Sequence, residues 1–355
     1  MKVGIVGLGS IGVRHLENIT KNADSWGVKE IVAFDPKVGQ TLKSKWVRVS
    51  TSVEVCSNLT PFRAHQLDVL IVCTPPSRHY DYVSMFPEAH VLVEKPIAHW
   101  MPWGGLREPV SEREGRRMEG ARMVLAAMNL RFHPGVSFIR ECLASKVIGL
   151  PIAIRAWYSF EGTMRRPDSP DAKLGALVSA IHDLDSIVWA TGAVSPSTPQ
   201  RESLPRTFQH ITKWQESVFE EGKSFGVYCG KIRRGGAVVL LTADFYGKVR
   251  QRGMEVIGSK GQVRYEVNGK PVEDLFCFLT EGGGGHGDEL RYITQPIKSP
   301  VYDVNQMYVE ELGEFFSRVR GEREPGDGVG WRLPDVGEVL ELAKVLGVNQ
   351  ERGIP

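Results

Sequence analysis

The sequence has few cysteines, no long apolar run, no internal repeat and no surplus of charge of either sign, and each shortage closes off a class of protein. Its five cysteines, Cys56, Cys73, Cys142, Cys229 and Cys277, are scattered with no CxxC pair among them. That spacing points away from a disulfide framework or a zinc site, so no metal is expected, and it makes the reducing cytoplasm the default compartment. A net charge of +2, from 44 basic and 42 acidic residues, offers neither nucleic acid nor a membrane surface a strong field. The opening MKVGIVGLGS is apolar only in short, glycine-broken stretches, so it is read as neither a signal peptide nor a membrane span. With 355 residues the chain exceeds one ordinary core, and two domains are expected.

What is present is strand–helix alternation. Lys2 to Gly7 is a short run rich in valine and isoleucine, read as a buried parallel strand, and helical spacing begins just after it. Further buried strands are expected at Ile31–Phe34, Leu67–Cys73 and His90–Val93, with another at Met123–Met128. Repeated alternation of this kind predicts a doubly wound parallel sheet. The stretch from Ala98 to Arg122 reads as an exposed loop followed by a surface helix. Beyond Asn129 the texture changes. Helices are expected at Pro134–Ser145, Leu177–Trp189, Asn305–Arg320 and Pro334–Leu346, and a polar strand at Ile152–Phe160. Long alternating runs between Ser224 and Thr280 predict a mostly antiparallel sheet with one face solvated or covered by helices. The expected fold class is therefore α/β. A dinucleotide-binding Rossmann domain fills 1–128, an α/β substrate and oligomerisation domain fills 129–333, and a C-terminal helix occupies 334–355.

Gly7-Leu8-Gly9-Ser10-Ile11-Gly12 directly follows the first strand and opens a helix. In that context GxGxxG has a mechanical meaning. Gly7 permits the tight turn, Gly9 lets the backbone approach a pyrophosphate, and Gly12 lets helix and strand pack closely. Ser10 and Ile11 supply N–H groups at the helix N-terminus, where the dipole favours phosphate. Asp35 ends the second strand roughly twenty residues beyond Gly12, where an acid accepts ribose hydroxyls and repels a 2′-phosphate. NAD is therefore favoured, with NADP still open because Lys37 lies close by. An Asx turn before Pro36 is the other reading of Asp35. Thr74-Pro75-Pro76 and Glu94-Lys95-Pro96 lie where the third and fourth of these strands end. Ligands of open α/β sheets bind outside the carboxyl ends of the strands, so Thr74, Pro75, Glu94 and Lys95 are expected to face the cofactor.

With these elements in hand, the chain resembles the glucose–fructose oxidoreductase and inositol dehydrogenase (Gfo/Idh/MocA) family. The resemblance is carried, in order, by GLGSIGVRHL (7–16), TPPSRHY (74–80), EKPIA (94–98), NLRFHPG (129–135), IGLPIAIRAWYS (148–159), GALVSAIHDLDSIVWATG (175–192), EVIGSKGQV (255–263) and NQMYVEELGEFF (305–316). It implies a Rossmann domain, a second domain with a large, mostly antiparallel sheet, NAD or NADP, and a homodimer or homotetramer formed through that sheet. It also implies reversible oxidation of a ring hydroxyl of a sugar, nucleotide sugar or cyclitol to a ketone.

The resemblance places Lys95 at the family's EKP lysine and His182 at its substrate-domain histidine, as the catalytic candidates. Lys95 would hydrogen-bond the reacting oxygen or serve as base. His182 titrates near neutrality and can take and return a proton. Asp185, three residues on, shares a helix face with His182 and is read as a substrate-hydroxyl ligand or an orienter of the imidazole. Asp183 is read as a solvated charge. Arg131 is a candidate for a substrate phosphate or carboxylate, or for a tie at the domain junction. His79 matches a family histidine in the helix after TPP and is grouped with the cofactor site, shaping it from behind. One departure stands out: where family members commonly carry an acid three or four residues before the histidine, this chain has Ser179 and Val178. Two rival readings follow, a non-catalytic or regulatory NAD-binding homologue and NAD-assisted redox-neutral chemistry on a glycoside.

Overall fold

The computed structural model describes residues 1–37, 53–97, 122–160, 177–192, 208–218, 224–232, 236–248, 250–268, 272–281, 302–322 and 332–336, together with 338, 339 and 342. The expected loop and surface helix before Arg122, and most of the expected helix at 334–346, lie outside these residues. The chain forms two compact units, Met1–Met128 with Tyr308–Leu340 and Asn129–Met307 with Glu341–Pro355. Among the described residues no helix is long and apolar enough to cross a membrane.

The first unit is built on a six-stranded sheet. Its strands are β1 (Lys2–Val6), β2 (Glu30–Phe34), β3 (Val53–Cys56), β4 (Val69–Val72), β5 (His90–Val93) and β6 (Val124–Ala126), in the order β3-β2-β1-β4-β5-β6. Every pairing is parallel. Both faces of the central strands are covered, so Val3, Ile5, Val69, Leu70, Ile71 and Val72 are all fully buried. That is why these segments read as continuous apolar runs and not as alternations. Helices α1 (Ser10–Lys21), α2 (Ala23–Trp26), α3 (Leu59–Arg63) and α4 (His79–Met85) connect the strands. Strand order reverses between β1 and β4, so the loops that leave these two strands flank the crevice where ligands of such sheets bind.

The second unit holds an eight-stranded sheet and two helices, α5 (Pro134–Ala144) and α6 (Leu177–Gly192). Its strands are β7 (Pro151–Ser159), β8 (Phe208–Val218), β9 (Ser224–Ile232), β10 (Val238–Asp244), β11 (Gln251–Gly258), β12 (Gly261–Asn268), β13 (Val272–Glu281) and β14 (Tyr302–Asp303). The order is β14-β13-β12-β11-β7-β10-β9-β8, antiparallel throughout except for the β7–β10 pair. β10 shows the alternation of a sheet with one covered face: Val239 and Leu241 are fully buried, while Val238 and Leu240 are exposed. A last helix, α7 (Asn305–Val319), joins the first unit from Tyr308 onward, where Phe316 stacks on Trp26 with ring centres 5.1 Å apart.

Three strands depart from the sequence reading: β3, β8 and the two-residue β14 were not expected. β3 is a four-residue edge strand, and β8 is rich in polar residues, so neither carries the apolar density that marks a strand.

Candidate functional site

The glycine loop has the form that its sequence demands. Gly7 has φ of +87°, and a Cβ there would sit 2.8 Å from the Cys73 carbonyl oxygen at the end of β4. A Cβ on Gly12 would run into the Gly7 carbonyl, so α1 and β1 meet too closely for any side chain. Gly9 is different: a Cβ there would meet nothing within 4 Å. Glycine at this position leaves open space over the N-terminus of α1. No side chain caps that terminus and no acid lies in its first turn, so its N–H groups and positive dipole end stay available to an anion.

Asp35 reaches back into this loop. Its Oδ2 accepts a hydrogen bond from the Leu8 N–H at 2.8 Å, and its Oδ1 accepts one from the Lys37 N–H at 2.7 Å. The second bond is the Asx turn, the other reading of this residue. The carboxylate is fixed at the mouth of the glycine loop with lone pairs left over for hydroxyl donors. Across the crevice, at the end of β4, the Thr74 hydroxyl is buried with no hydrogen-bond partner among the described residues. An orphaned hydroxyl, a cradle with room above Gly9 and an uncapped helix end fit a pyrophosphate-bearing dinucleotide. Pro75 is exposed beside them.

Behind the crevice lies a polar cluster that sequence reasoning reached only in part. His15 of α1 is fully buried, and its Nε2 lies 2.9 Å from Glu94 Oε1. Glu94 Oε2 accepts the Lys95 backbone N–H at 3.3 Å, and Lys95 itself is half-buried at the end of β5. The Lys95–Pro96 peptide is cis. Burial pushes the Glu94 carboxyl up, but the hydrogen bond and charge of His15, backed by Lys95 and His79, outweigh it and hold the group below its usual value. Glu311 of α7 is also fully buried. Burial, with Glu94 and Glu314 repelling it, holds Glu311 well above the ordinary carboxylate range, and the Met128 backbone offsets only part of this. Of these two acids, Glu94 is the charged one and Glu311 the neutral one. His15 and Glu311 were missed because nothing local marks them. They join Glu94 only when α1, β5 and α7 pack together. The one available signal was a charged residue on the apolar stripe of α7, beside Leu312 and Phe315.

His79 meets the site indirectly. Its ring is fully buried and its Nε2 lies 2.7 Å from the Thr74 carbonyl oxygen, so it supports the Thr74 loop. Burial lowers its pKa from 6.5 to about 4, against the opposing pull of the Thr74 backbone and Glu94. The folded state keeps this imidazole neutral, whereas the unfolded state protonates it below 6.5. The unfolded chain therefore binds the extra proton between those two values. The stabilisation is complete above 6.5 and is lost as pH falls through about 4. The full loss is on the order of 3 kcal/mol. Urea midpoints between pH 7 and pH 4.5 should show a shallower pH slope for His79→Gln than for the parent. Equal slopes would mean that the imidazole is not held neutral.

In the second unit His182 sits on α6, where every residue from Ile181 to Ile187 is buried. Arg131, in the turn before α5, forms a two-pronged ion pair with Asp185: Nε to Oδ2 at 2.8 Å and the Nη2 nitrogen to Oδ1 at 2.6 Å. Both side chains are almost fully buried. The two residues expected to bind substrate are thus engaged with each other, and the pair fixes the face of α6 that carries His182. Asp183 is not a solvated charge. It is 1% exposed and lies 3.2 Å from Arg252 of β11, because α6 packs on all sides and a charge there must bring its partner with it.

Residues 1–108 match the model of an oxidoreductase family with an NAD-binding Rossmann fold, GFO_IDH_MocA. The chain is 24% identical over 195 residues to inositol 2-dehydrogenase 2 of Paenarthrobacter aurescens, covering 54% of this chain and 56% of that one. It therefore spans little more than half the length of that relative. It is 25% identical over 270 residues to inositol 2-dehydrogenase of Rubrobacter xylanophilus, covering 74% and 70% of the two chains. Among solved structures, myo-inositol dehydrogenase from Lactobacillus casei in complex with NAD(H) and myo-inositol superposes with a TM-score of 0.60 at 17% identity, over 98% of this chain and 93% of that one.

Proposed function

We propose, from the match of residues 1–108 to the Gfo/Idh/MocA oxidoreductase family, that this chain is an NAD-dependent dehydrogenase that reversibly oxidises a ring hydroxyl of a cyclitol or sugar. The observation that carries the reading is the crevice between β1 and β4, where an open glycine cradle, a fixed acid and an unpartnered hydroxyl converge. Bound NAD would accept a hydride from the carbinol carbon and return it in the reverse direction. The N–H groups at the start of α1 hold the pyrophosphate, and Asp35 accepts the adenosine ribose hydroxyls. Lys95 hydrogen-bonds the oxygen that develops negative charge, and His182 takes up and returns the hydroxyl proton. Arg131 and Asp185 serve as positioning residues for His182. The likeness to inositol dehydrogenases supports a polyhydroxylated ring as substrate. Val238, Leu240 and Phe225, apolar and exposed on the second sheet, support self-association through that face.

Calorimetry on cofactor-stripped protein tests the reading. NAD and NADH should bind at least about tenfold more tightly than NADP and NADPH, because a 2′-phosphate beside Asp35 places like charges together. Asp35→Ala should weaken NAD as well, since the Leu8 N–H loses its acceptor, so the NAD-to-NADP ratio is the decisive quantity and should collapse towards unity. Failure of all four dinucleotides to bind would sink the proposal. NADH formation on a panel of inositols and sugars then tests the substrate class. A second reading, a dinucleotide-binding regulator without turnover, is favoured by Val178 and Ser179 standing where an acid is common. It predicts tight NAD binding and no NADH from any member of the panel.

A further inference from the structure

On the outer edge of the first sheet, three chemically different donors converge. Glu54 and Cys56 lie two residues apart on β3, so both project from the same face. His65 follows α3, whose Phe62 packs on Phe34 with ring centres 5.7 Å apart, and this packing brings the imidazole back over β3. The Cys56 Sγ lies 3.7 Å and the His65 Nε2 3.5 Å from the same oxygen, Glu54 Oε1. One ligand atom from each residue falls within 4.8 Å of the other two.

These separations fit a thiol-to-carboxylate hydrogen bond and a long imidazole–carboxylate ion pair. They are close to what donors sharing a metal require. Zinc lies about 2.3 Å from sulfur and about 2.0–2.2 Å from nitrogen or oxygen, so tetrahedral geometry separates its ligand atoms by roughly 3.3–3.6 Å. We propose that Glu54, Cys56 and His65 form a zinc site that clamps the end of β3 to the turn after α3. Thiolate, imidazole and carboxylate together suit zinc and are ill matched to magnesium or calcium, which take oxygen ligands. The burial is graded to match: Cys56 is 7% exposed, and the side chains of His65 and Glu54 are 18% and 57% exposed. The sulfur forms the floor and the carboxylate the mouth. On binding, the Cys56 thiol gives its proton to solvent and the sulfur–zinc bond takes its place. The spacing escaped the sequence reading because a Cys paired with a Glu two residues earlier and a His nine residues later matches no finger-type pattern. The site also borders the cofactor acid, since the Asp35 N–H donates to the Cys56 carbonyl at 3.2 Å.

Cobalt(II) titration of the metal-stripped full chain tests this directly. A single equivalent should bind and raise a thiolate-to-cobalt charge-transfer band, and zinc should displace it. Cys56→Ser should abolish the band, while Cys229→Ser, which removes a cysteine on another strand, should leave it intact. His65→Ala and Glu54→Gln alter the more accessible ligands, so the fold should survive them. Each should weaken binding at least about tenfold, since even the loss of an outer-shell partner costs about that much. Zinc should also raise the thermal midpoint of the parent and not of Cys56→Ser or His65→Ala. Absence of the band, or its persistence in Cys56→Ser, would overturn the proposal. So would affinity unchanged in both His65→Ala and Glu54→Gln.

Discussion

Asp185→Ala is expected to lower the stability of the second unit by roughly 3–5 kcal/mol, which is the usual cost of removing one partner from a buried ion pair. The size follows from what is left behind. The Arg131 guanidinium loses two short, parallel hydrogen bonds, and its side chain is only 7% exposed, so water cannot take the place of the carboxylate. Asp185→Asn keeps one acceptor and should fall between the parent and alanine. Replacing both residues together, Arg131→Met with Asp185→Leu, removes the charge along with its partner and should cost far less than either single change, because apolar isosteres of a buried pair are often tolerated. Urea denaturation of the parent, Asp185→Ala, Asp185→Asn, the two single variants Arg131→Met and Asp185→Leu, and the double variant measures this. A loss below about 1 kcal/mol for Asp185→Ala would mean that the guanidinium finds solvent after all and that the pair behaves like a surface bridge. The same cycle separates a structural role from substrate binding. A substrate ligand would raise KM in the double variant even where stability is restored.

That pair also shows where the sequence could be read and where it could not. The cofactor crevice was legible because its signals are local: a glycine spacing, an acid at a strand end, and apolar runs on either side. Gly12 had to be glycine whatever the rest of the chain did, since the Gly7 carbonyl occupies the place of its Cβ. The interior charges were not legible. Asp183 and Asp185 sit two positions apart on one helix, and helical spacing alone assigns one to a useful face and the other to solvent. Both are buried because α6 is enclosed on all sides, and their partners come from elsewhere in the chain, Arg131 before α5 and Arg252 on β11. His15, Glu94 and Glu311 make the same point in the first unit, because they come together only once α7 packs against α1 and α2. β3 was missed because four residues, with one outward-facing acid among them, carry too little apolar density to announce a strand.

Lys95→Met should lower kcat by about 10²–10⁴-fold, the range typical for loss of a group that handles proton or charge in the transition state, while leaving NAD affinity within a few-fold of the parent. The asymmetry rests on position. Lys95 stands at the end of β5, beside the crevice and not within the glycine cradle, so pyrophosphate binding does not depend on it. Its neighbour Glu94 is held ionised by His15 and forms a counter-charge to the ammonium. A lysine so placed is suited to donating a hydrogen bond to an oxygen that gains negative charge, which leaves proton uptake to His182. On this division of labour the two losses should overlap. The Lys95→Met/His182→Asn double variant should be little slower than the worse single variant, because groups that act as a unit are not additive. The pH profile distinguishes the roles further. With His182 as the base, the acid limb of kcat/KM should disappear in His182→Asn and survive in Lys95→Met. If Lys95→Met erased that limb instead, the lysine would be the base and His182 a supporting residue. If Lys95→Met kept full activity, Lys95 would have no part in the chemistry, and the charge on the reacting oxygen would have to be met by another group.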